Sequence, residues 1–97
     1  MQLKTHTEGS NLTIYPQGKL DTMTAPEFLE AASAASRGMT SVTLDLTSLT
    51  YISSAGLRAI LALKKQLGSG CGMQMQNPCD IVREVFEVSC FTELLED

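Results

Sequence analysis

Residues 42–67, which read VTLDLTSLTYISSAGLRAILALKKQL, decide the fold of this 97-residue chain. The stretch opens with Val42-Thr43-Leu44-Asp45-Leu46, which is short, β-branched and apolar and is therefore typical of a buried central strand. After a brief polar link and Tyr51-Ile52, apolar residues recur at helical spacing from Leu57 to Leu67. The pattern predicts a strand that passes through a short turn into an amphipathic helix.

The residues before this stretch predict a hairpin and a first helix. Gln2 to Thr7 and Leu12 to Tyr15 both alternate in polarity, and a cluster of turn formers separates them. Thr24 and Glu27 then match a capping box, and Gly38 is a plausible C-terminal cap. The chain is therefore expected to open with two strands and a helix.

The residues after this stretch predict one more strand and one more helix. Met73-Gln74-Met75-Gln76 alternates like a half-buried strand, and Asn77-Pro78 resembles a cap followed by a proline in the first helical position, with Asp80 in the first turn. The predicted order is strand, strand, helix, strand, helix, strand, helix. Because strands alternate with helices after the hairpin, we expect one α/β domain over residues 1–97, with a small, single-layer, mostly parallel sheet.

The composition limits the classes of function. With a net charge of −4, the chain lacks the basic stripe from which nucleic-acid-binding surfaces gain counterion release. No stretch approaches the roughly 20 consecutive apolar residues that cross a bilayer, and the N-terminus has no signal-peptide pattern. We therefore expect a cytoplasmic protein that neither binds nucleic acid directly nor inserts into a membrane.

Cysteine and histidine give no reason to expect a metal or a cofactor. Cys71, Cys79 and Cys90 are odd in number and widely spaced, which indicates free thiols or small buried side chains. His6 is the only histidine, and no set of carboxylates stands at ligand spacing. The nucleophilic serine of an α/β-hydrolase, which also stands at a strand–turn–helix, needs a glycine two residues before it. In this chain Ile52 occupies that position relative to Ser54. The chain is therefore not expected to be an enzyme.

Ser54 stands where the predicted turn enters the second helix. The first turn of a helix has unpaired backbone N–H groups and a partial positive charge, so it accommodates an anion. A phosphoryl group on Ser54 would add about −1.5 to −2 charges and change the surface that a partner meets. The alternative is that Ser53 or Ser54 is simply an N-cap, the commonest use of serine at a helix start.

Two aspartates stand near the ends of predicted strands. Asp21 follows the second predicted strand and Asp45 lies in the third, at the sheet edge where loops gather and binding surfaces form in open α/β sheets. The alternative is structural: Asp21 then only forms a turn, and Asp45 is a hydrogen-bonded acid at a strand end.

Three blocks of the sequence together resemble the STAS domain family, and in particular bacterial anti-sigma factor antagonists. They are Gly18-Lys19-Leu20-Asp21, Val42-Thr43-Leu44-Asp45-Leu46 and Tyr51-Ile52-Ser53-Ser54-Ala55-Gly56-Leu57. The resemblance covers nearly the whole chain. It implies a protein that binds an anti-sigma factor, itself a serine kinase of the GHKL type, when unphosphorylated. Phosphorylation by that kinase releases the partner, and a PP2C-type phosphatase resets the cycle.

The resemblance also assigns residues. The phosphoacceptor of the family falls on Ser54, the docking aspartate on Asp21, and the loop-supporting aspartate on Asp45. Many antagonists have an aspartate immediately before the acceptor, where this chain has Ser53, so Ser53 is a rival acceptor. The expected partner-binding residues are Asp21, Ser53, Ser54, Ala55, Gly56 and Arg58.

A second role shares the same fold. Stand-alone STAS subunits also attach to the ATPase of ABC-type lipid transporters, without a serine phosphorylation cycle. Such subunits commonly replace the acceptor serine with threonine or lose it. The serine at position 54 therefore favours the antagonist role, and a subunit of an ABC-type lipid transport complex, or of another signalling assembly, is the alternative.

Overall fold

The computed structural model describes residues 2–68 and 70–88 as a mixed α/β domain with one sheet. The elements, in chain order, are β1 (Gln2–Glu8), β2 (Asn11–Leu20), α1 (Ala25–Ala35), β3 (Ser41–Asp45), β4 (Leu49–Ile52), α2 (Ser54–Leu67), β5 (Gly72–Gln76) and α3 (Asp80–Val88). The predicted fold class is confirmed.

The sheet is mostly parallel, as the sequence predicted. β1 and β2 form the antiparallel hairpin, and Gly9 in its turn has a positive φ of 63°. β2 pairs with β3 and β3 pairs with β5, both in parallel. The carboxyl ends of β2, β3 and β5 therefore lie at one edge of the sheet, where the turns after them meet.

One strand, β4, is missing from the predicted order. It pairs in parallel with Gly18–Leu20 of β2, beyond the segment 11–14 that pairs with β3. Leu49 and Ile52 are buried whereas Thr50 and Tyr51 are exposed, so four residues show no clean alternation. A segment this short gives too weak a periodic signal to be separated from the polar link before it.

The core lies between the sheet and the helix pair α1 and α2. Phe28 of α1 is fully buried, and Ile60 and Leu63 of α2 pack in the same cluster. On β2, Leu12 and Ile14 are buried, while Thr13 between them and Tyr15 after them are half-exposed. This alternation fixes which face of the sheet carries the helices.

The predicted start of the third helix is wrong by two residues. α3 begins at Asp80, and the Cys79 carbonyl accepts the hydrogen bond of the Arg83 N–H at 2.9 Å. Pro78 therefore precedes the helix. Asn77 has a positive φ of 59°, and its side-chain Nδ2 donates to Oδ2 of Asp45 at 3.4 Å. Asp80 does lie in the first turn, as predicted.

Two of the three cysteines lie among the described residues. Cys71 and Cys79 are free and half-buried, whereas Cys90 lies outside the described residues. Among the residues described, none of the helices combines the length and apolar character needed to cross a bilayer.

Candidate functional site

The two serines at the start of α2 are in different environments. Ser53 is the N-cap: its hydroxyl oxygen accepts from the Gly56 N–H at 3.3 Å, and its own N–H donates to the Leu20 carbonyl at 2.9 Å. Ser54 is the first residue of the helix, its side chain is exposed, and its hydroxyl makes no hydrogen bond within the described part of the chain. Ser53 thus holds the turn, while the Ser54 hydroxyl is left available.

Gly56 brings the first turn of α2 against the sheet. A Cβ atom on Gly56 would lie 2.6 Å from the Leu20 carbonyl oxygen and 2.8 Å from Cγ1 of Ile52. Both distances are shorter than real Cβ contacts allow, so only glycine fits here. This close approach, together with the hydrogen bond from the Ser53 N–H to the Leu20 carbonyl, fixes the position of the first turn of α2. It therefore also fixes the position of the exposed Ser54 side chain.

Asp21 forms the turn between β2 and α1. Its Oδ1 accepts from the N–H groups of Met23 at 3.0 Å and Thr24 at 3.1 Å. The Thr24 N–H is the main cause that holds the pKa of Asp21 below its ordinary value; partial burial opposes it, and the Met23 N–H, the Thr24 hydroxyl and the charge of Lys19 assist it. The carboxylate is therefore the stable form of this side chain in the fold.

The Thr24 half of the predicted capping box does not form. Thr24 stands at the N-cap of α1, but its side chain makes no capping bond to that helix. Its hydroxyl instead accepts from the Asp21 N–H and donates to the Lys19 carbonyl, both at 2.9 Å. The Thr24 hydroxyl thus bonds within the turn before α1, where the Thr24 N–H also donates to Asp21, and not to the backbone of the helix.

The Asp21 turn and the serine turn are neighbours. Leu20, which accepts from the Ser53 N–H, is the residue immediately before Asp21. Met23, at the tip of the Asp21 turn, is 80% exposed, so it presents a large apolar side chain to solvent. The structure thus brings the Asp21 turn next to the serine turn, and that the two form one partner-binding surface stays a prediction.

A shallow groove runs between α1 and α2 next to these turns; we term it the α1–α2 groove. Its α1 wall consists of Thr22, Ala25, Pro26 and Leu29. Its α2 wall consists of Ala55, Arg58, Ala59 and Ala62. Arg58 is exposed, as expected, and is the one charged residue of the lining.

Asp45 is the last residue of β3, and the hydrogen bonds of its side chain do not reach the serines. Its Oδ1 accepts from the Thr47 N–H at 3.0 Å and from the Thr47 hydroxyl, and its Oδ2 accepts from Asn77 at 3.4 Å. Burial raises the pKa of Asp45, but the hydrogen bonds from Thr47 and Asn77 outweigh it and leave the pKa below its ordinary value. Asp45 therefore ties the end of β3 to the end of β5.

Met23, Ala59 and Ala62 were not identified from the sequence, whereas Ala55 was among the expected partner-binding residues. The signal for Met23 was available: it is an apolar residue in the otherwise polar turn Asp21-Thr22-Met23-Thr24. The signal for the groove was weaker. Ala55, Ala59 and Ala62 recur at helical spacing, but small residues at that spacing are equally typical of a packed helix face.

The fold and the serine turn together define a STAS-type domain. The family model described as "Mlab, STAS domain" matches residues 3–96. The chain belongs to the STAS domain family, and within it is similar to anti-sigma factor antagonists.

Known proteins support this assignment. BtrV of Bordetella bronchiseptica, provisionally named an anti-sigma factor antagonist, is 40% identical over 82 residues, which cover 80% of this chain and 69% of BtrV. An anti-sigma factor antagonist from Mycobacterium paratuberculosis has the same fold, with a TM-score of 0.87 at 18% identity over 97% of this chain and 81% of that protein.

The anti-sigma factor antagonist SpoIIAA also shares the fold, and its structure is known in two states. The unphosphorylated form gives a TM-score of 0.85 at 20% identity, covering 99% of this chain and 87% of SpoIIAA. The phosphorylated Bacillus form gives 0.75 at 19% identity, covering 99% and 90%.

Proposed function

We propose that this chain is an anti-sigma factor antagonist whose binding to its partner is switched by phosphorylation of Ser54. The partner is an anti-sigma factor that is also a serine kinase of the GHKL type, and a PP2C-type phosphatase reverses the modification. In the unphosphorylated state the chain sequesters the kinase and so frees a sigma factor for transcription. The chain itself is a binding module and catalyses no reaction.

The availability of the Ser54 hydroxyl is the observation that carries this proposal. Ser54 is exposed at the mouth of α2 and its hydroxyl has no partner in the described residues, whereas the Ser53 oxygen accepts the capping bond from Gly56. Phosphorylation of Ser53 would modify the oxygen that makes the capping bond, and phosphorylation of Ser54 would not. The two serines are therefore unequal acceptors, and Ser54 is favoured.

The reaction at Ser54 is an ordinary phosphoryl transfer. The Ser54 oxygen bonds to the γ-phosphorus of ATP, the bond from that phosphorus to the bridging oxygen breaks, and ADP leaves. The hydroxyl proton passes to a base of the kinase. The product carries about −1.5 to −2 charges at pH 7, next to the turn that presents Met23 and Asp21. A partner that fits closely over this turn is then excluded by both size and charge.

Mass spectrometry tests the acceptor. The chain is incubated with ATP and the serine kinase recovered with it from the native cell, and its intact mass and phosphopeptides are measured. We expect one phosphate on the wild-type chain and on Ser53→Ala, and none on Ser54→Ala. Phosphate on Ser53 alone, or on neither serine, would overturn the assignment.

Binding measurements test the switch. Ser54→Ala is expected to retain the affinity of the unphosphorylated chain for its partner, while Ser54→Asp weakens it.

Affinity capture from the native cell separates the two roles of the fold. Recovery of a GHKL-type kinase supports the antagonist, whereas recovery of an ABC-type ATPase would instead support the transporter subunit.

A further inference from the structure

The α1–α2 groove combines apolar walls with one cationic side chain, that of Arg58. Ala55, Ala59 and Ala62 leave space that Leu29 bounds on the other side. The side chain of Arg58 is exposed and takes part in no hydrogen bond or ion pair with any residue that the structure describes. Charged groups at interfaces are arranged to meet charges of opposite sign. The groove therefore complements an apolar side chain that has a carboxylate beside it.

Among the residues that the structure describes, none of the acidic ones lines the groove. Glu27 and Glu30 are exposed on α1 and lie outside its lining, and the Asp21 carboxylate is engaged by the N–H groups of its own turn. A carboxylate brought by another molecule would thus meet Arg58 without displacing an internal partner.

Arg58 also stands four residues after Ser54 in the same helix. Side chains at this spacing lie on one face, with roughly 5–6 Å between their Cβ atoms, and a negative group before a positive one is the favourable order. A phosphate offers three acceptor oxygens, and a guanidinium binds phosphate through paired hydrogen bonds. Phosphorylated Ser54 is therefore within reach of the Arg58 side chain.

We propose that the α1–α2 groove binds a partner segment bearing an apolar side chain and a carboxylate, that Arg58 pairs with this carboxylate, and that a phosphate on Ser54 takes Arg58 away from it. The last step rests on the proposed function, because it requires phosphorylation of Ser54. Arg58 thereby acts as a positioning residue that links the modification to the docking surface. Phosphorylation therefore weakens binding in two ways: it adds negative charge, and it pairs with Arg58, which is the one cation of the groove lining.

Phosphorus NMR tests the pairing of Arg58 with the phosphate. Phosphoserine is incorporated at position 54 during translation, so no kinase is needed, and its second pKa is measured by titration. With Arg58 present we expect that pKa to be lower by about 0.15–0.4 than in Arg58→Gln, because the cation favours the dianion. Lys65→Gln removes the same charge from the far end of α2 and should leave the pKa unchanged. Equal values in the wild-type and Arg58→Gln chains would overturn this step.

A defined peptide tests the groove. The probe is a short peptide of leucine and glutamate, its control has glutamine in place of glutamate, and both are titrated into the unphosphorylated chain by amide NMR. We expect the leucine–glutamate peptide to shift the amides of Ala55, Arg58 and Ala59. Its affinity should fall about two- to fivefold in Arg58→Gln and in the chain with phosphoserine at position 54, but not in Lys65→Gln.

The outcomes separate this inference from the proposed function. Equal affinity for the two peptides, shifts on another face, or no binding at millimolar peptide would overturn the docking surface. Amide shifts that depend on protein concentration without peptide would assign the groove to a second copy of the chain, and would overturn it too. Absence of phosphate on Ser54 in native cells would refute the proposed function, yet it would leave both NMR measurements informative about Arg58.

Discussion

The helices α1 and α2 begin next to each other, but their first turns are satisfied by different chemistry. At α1 the negative carboxylate of Asp21 accepts from the backbone before the helix, and Glu27 lies in the first turn. At α2 the neutral hydroxyl of Ser53 is the cap, and the first turn contains no acidic residue. One helix start already contains negative charge, and the other does not.

This difference indicates which helix start can accept a phosphate. A negative group near a helix N-terminus is stabilised by the partial charge of the first turn. At α1 an added phosphate would be repelled by Asp21, whereas at α2 it would meet unopposed N–H groups and Arg58 one turn later. The exposed hydroxyl of Ser54 stands at the second of these sites. The comparison therefore identifies the α2 start, and not the α1 start, as the one that accommodates a phosphate.

The largest effect is expected from a change at Gly56, because the position of the α2 start depends on it. A Cβ atom there would lie 2.6 Å from the Leu20 carbonyl oxygen. We expect Gly56→Ala to lower the free energy of unfolding by about 1–3 kcal/mol, as is typical of overpacking. Alanine's better helix propensity, worth about 1 kcal/mol, offsets only part of the clash. Urea denaturation measures the difference.

Gly72→Ala is the matched control for this prediction. A Cβ atom on Gly72 would meet nothing within 4 Å. The free energy of unfolding of Gly72→Ala should therefore differ from that of the wild-type chain by less than about 0.5 kcal/mol. A Gly56→Ala chain as stable as Gly72→Ala would mean that α2 does not lie as close to β2 as the structure has it.

Substitution of the two serines should affect the stability of the fold differently, as well as phosphorylation. Ser53→Ala removes the cap on the Gly56 N–H, and we expect a loss of about 1 kcal/mol in the free energy of unfolding. Ser54→Ala removes a hydroxyl without a partner in the described residues, and should change stability by less than about 0.5 kcal/mol. Equal losses, or a larger loss at Ser54, would contradict the assignment of the cap to Ser53.

Most of the fold was predictable because its longer elements carry a clear period. The hairpin, α1, α2 and β5 follow from alternation or helical spacing and from the turn residues between them. The errors fall where the period is short or where a side chain has a competing partner. β4 has four residues, Thr24 is drawn back towards Asp21, and Asn77 bonds to Asp45 across the sheet edge. Such pairings depend on tertiary contacts that no local window contains.

The candidate site was predictable to a smaller extent. Helix-end physics identified the serine pair, but from position alone it left open which serine is the cap. The bond between Ser53 and Gly56 gives the two serines different roles. The α1–α2 groove requires knowledge of how the two helices pack, because Pro26 and Ala59 line one groove only in the folded chain. Sequence spacing places residues on a helix face, but it does not say which other helix lies beside that face.

A negative charge at position 54 should stabilise the fold slightly. We expect Ser54→Asp to raise the free energy of unfolding by about 0.3–1 kcal/mol at low salt, because the new carboxylate lies at the positive end of α2. Ser54→Asn, which has nearly the same shape and no charge, is the control. The gain of the aspartate over the asparagine should shrink in high salt, since exposed charges are screened. A loss of stability in Ser54→Asp relative to Ser54→Asn would contradict an α2 start that accommodates an anion.

The smallest effect is expected from acid titration of the α1 start. Because hydrogen bonds, first that from the Thr24 N–H, hold the pKa of Asp21 below its ordinary value of 3.8, the carboxylate contributes stability at higher pH. That contribution is fully present above the ordinary pKa and is lost as the pH falls through the lowered one. Asp21→Asn lacks this charge, so the wild-type chain should be the more stable of the two at pH 6, and the difference should narrow below pH 3.8. Ser54→Asn changes no ionisable group, so its difference from the wild-type chain should stay constant over the same range. A gap between Asp21→Asn and the wild-type chain that persists in acid would mean that the α1 start does not depend on a resident negative charge.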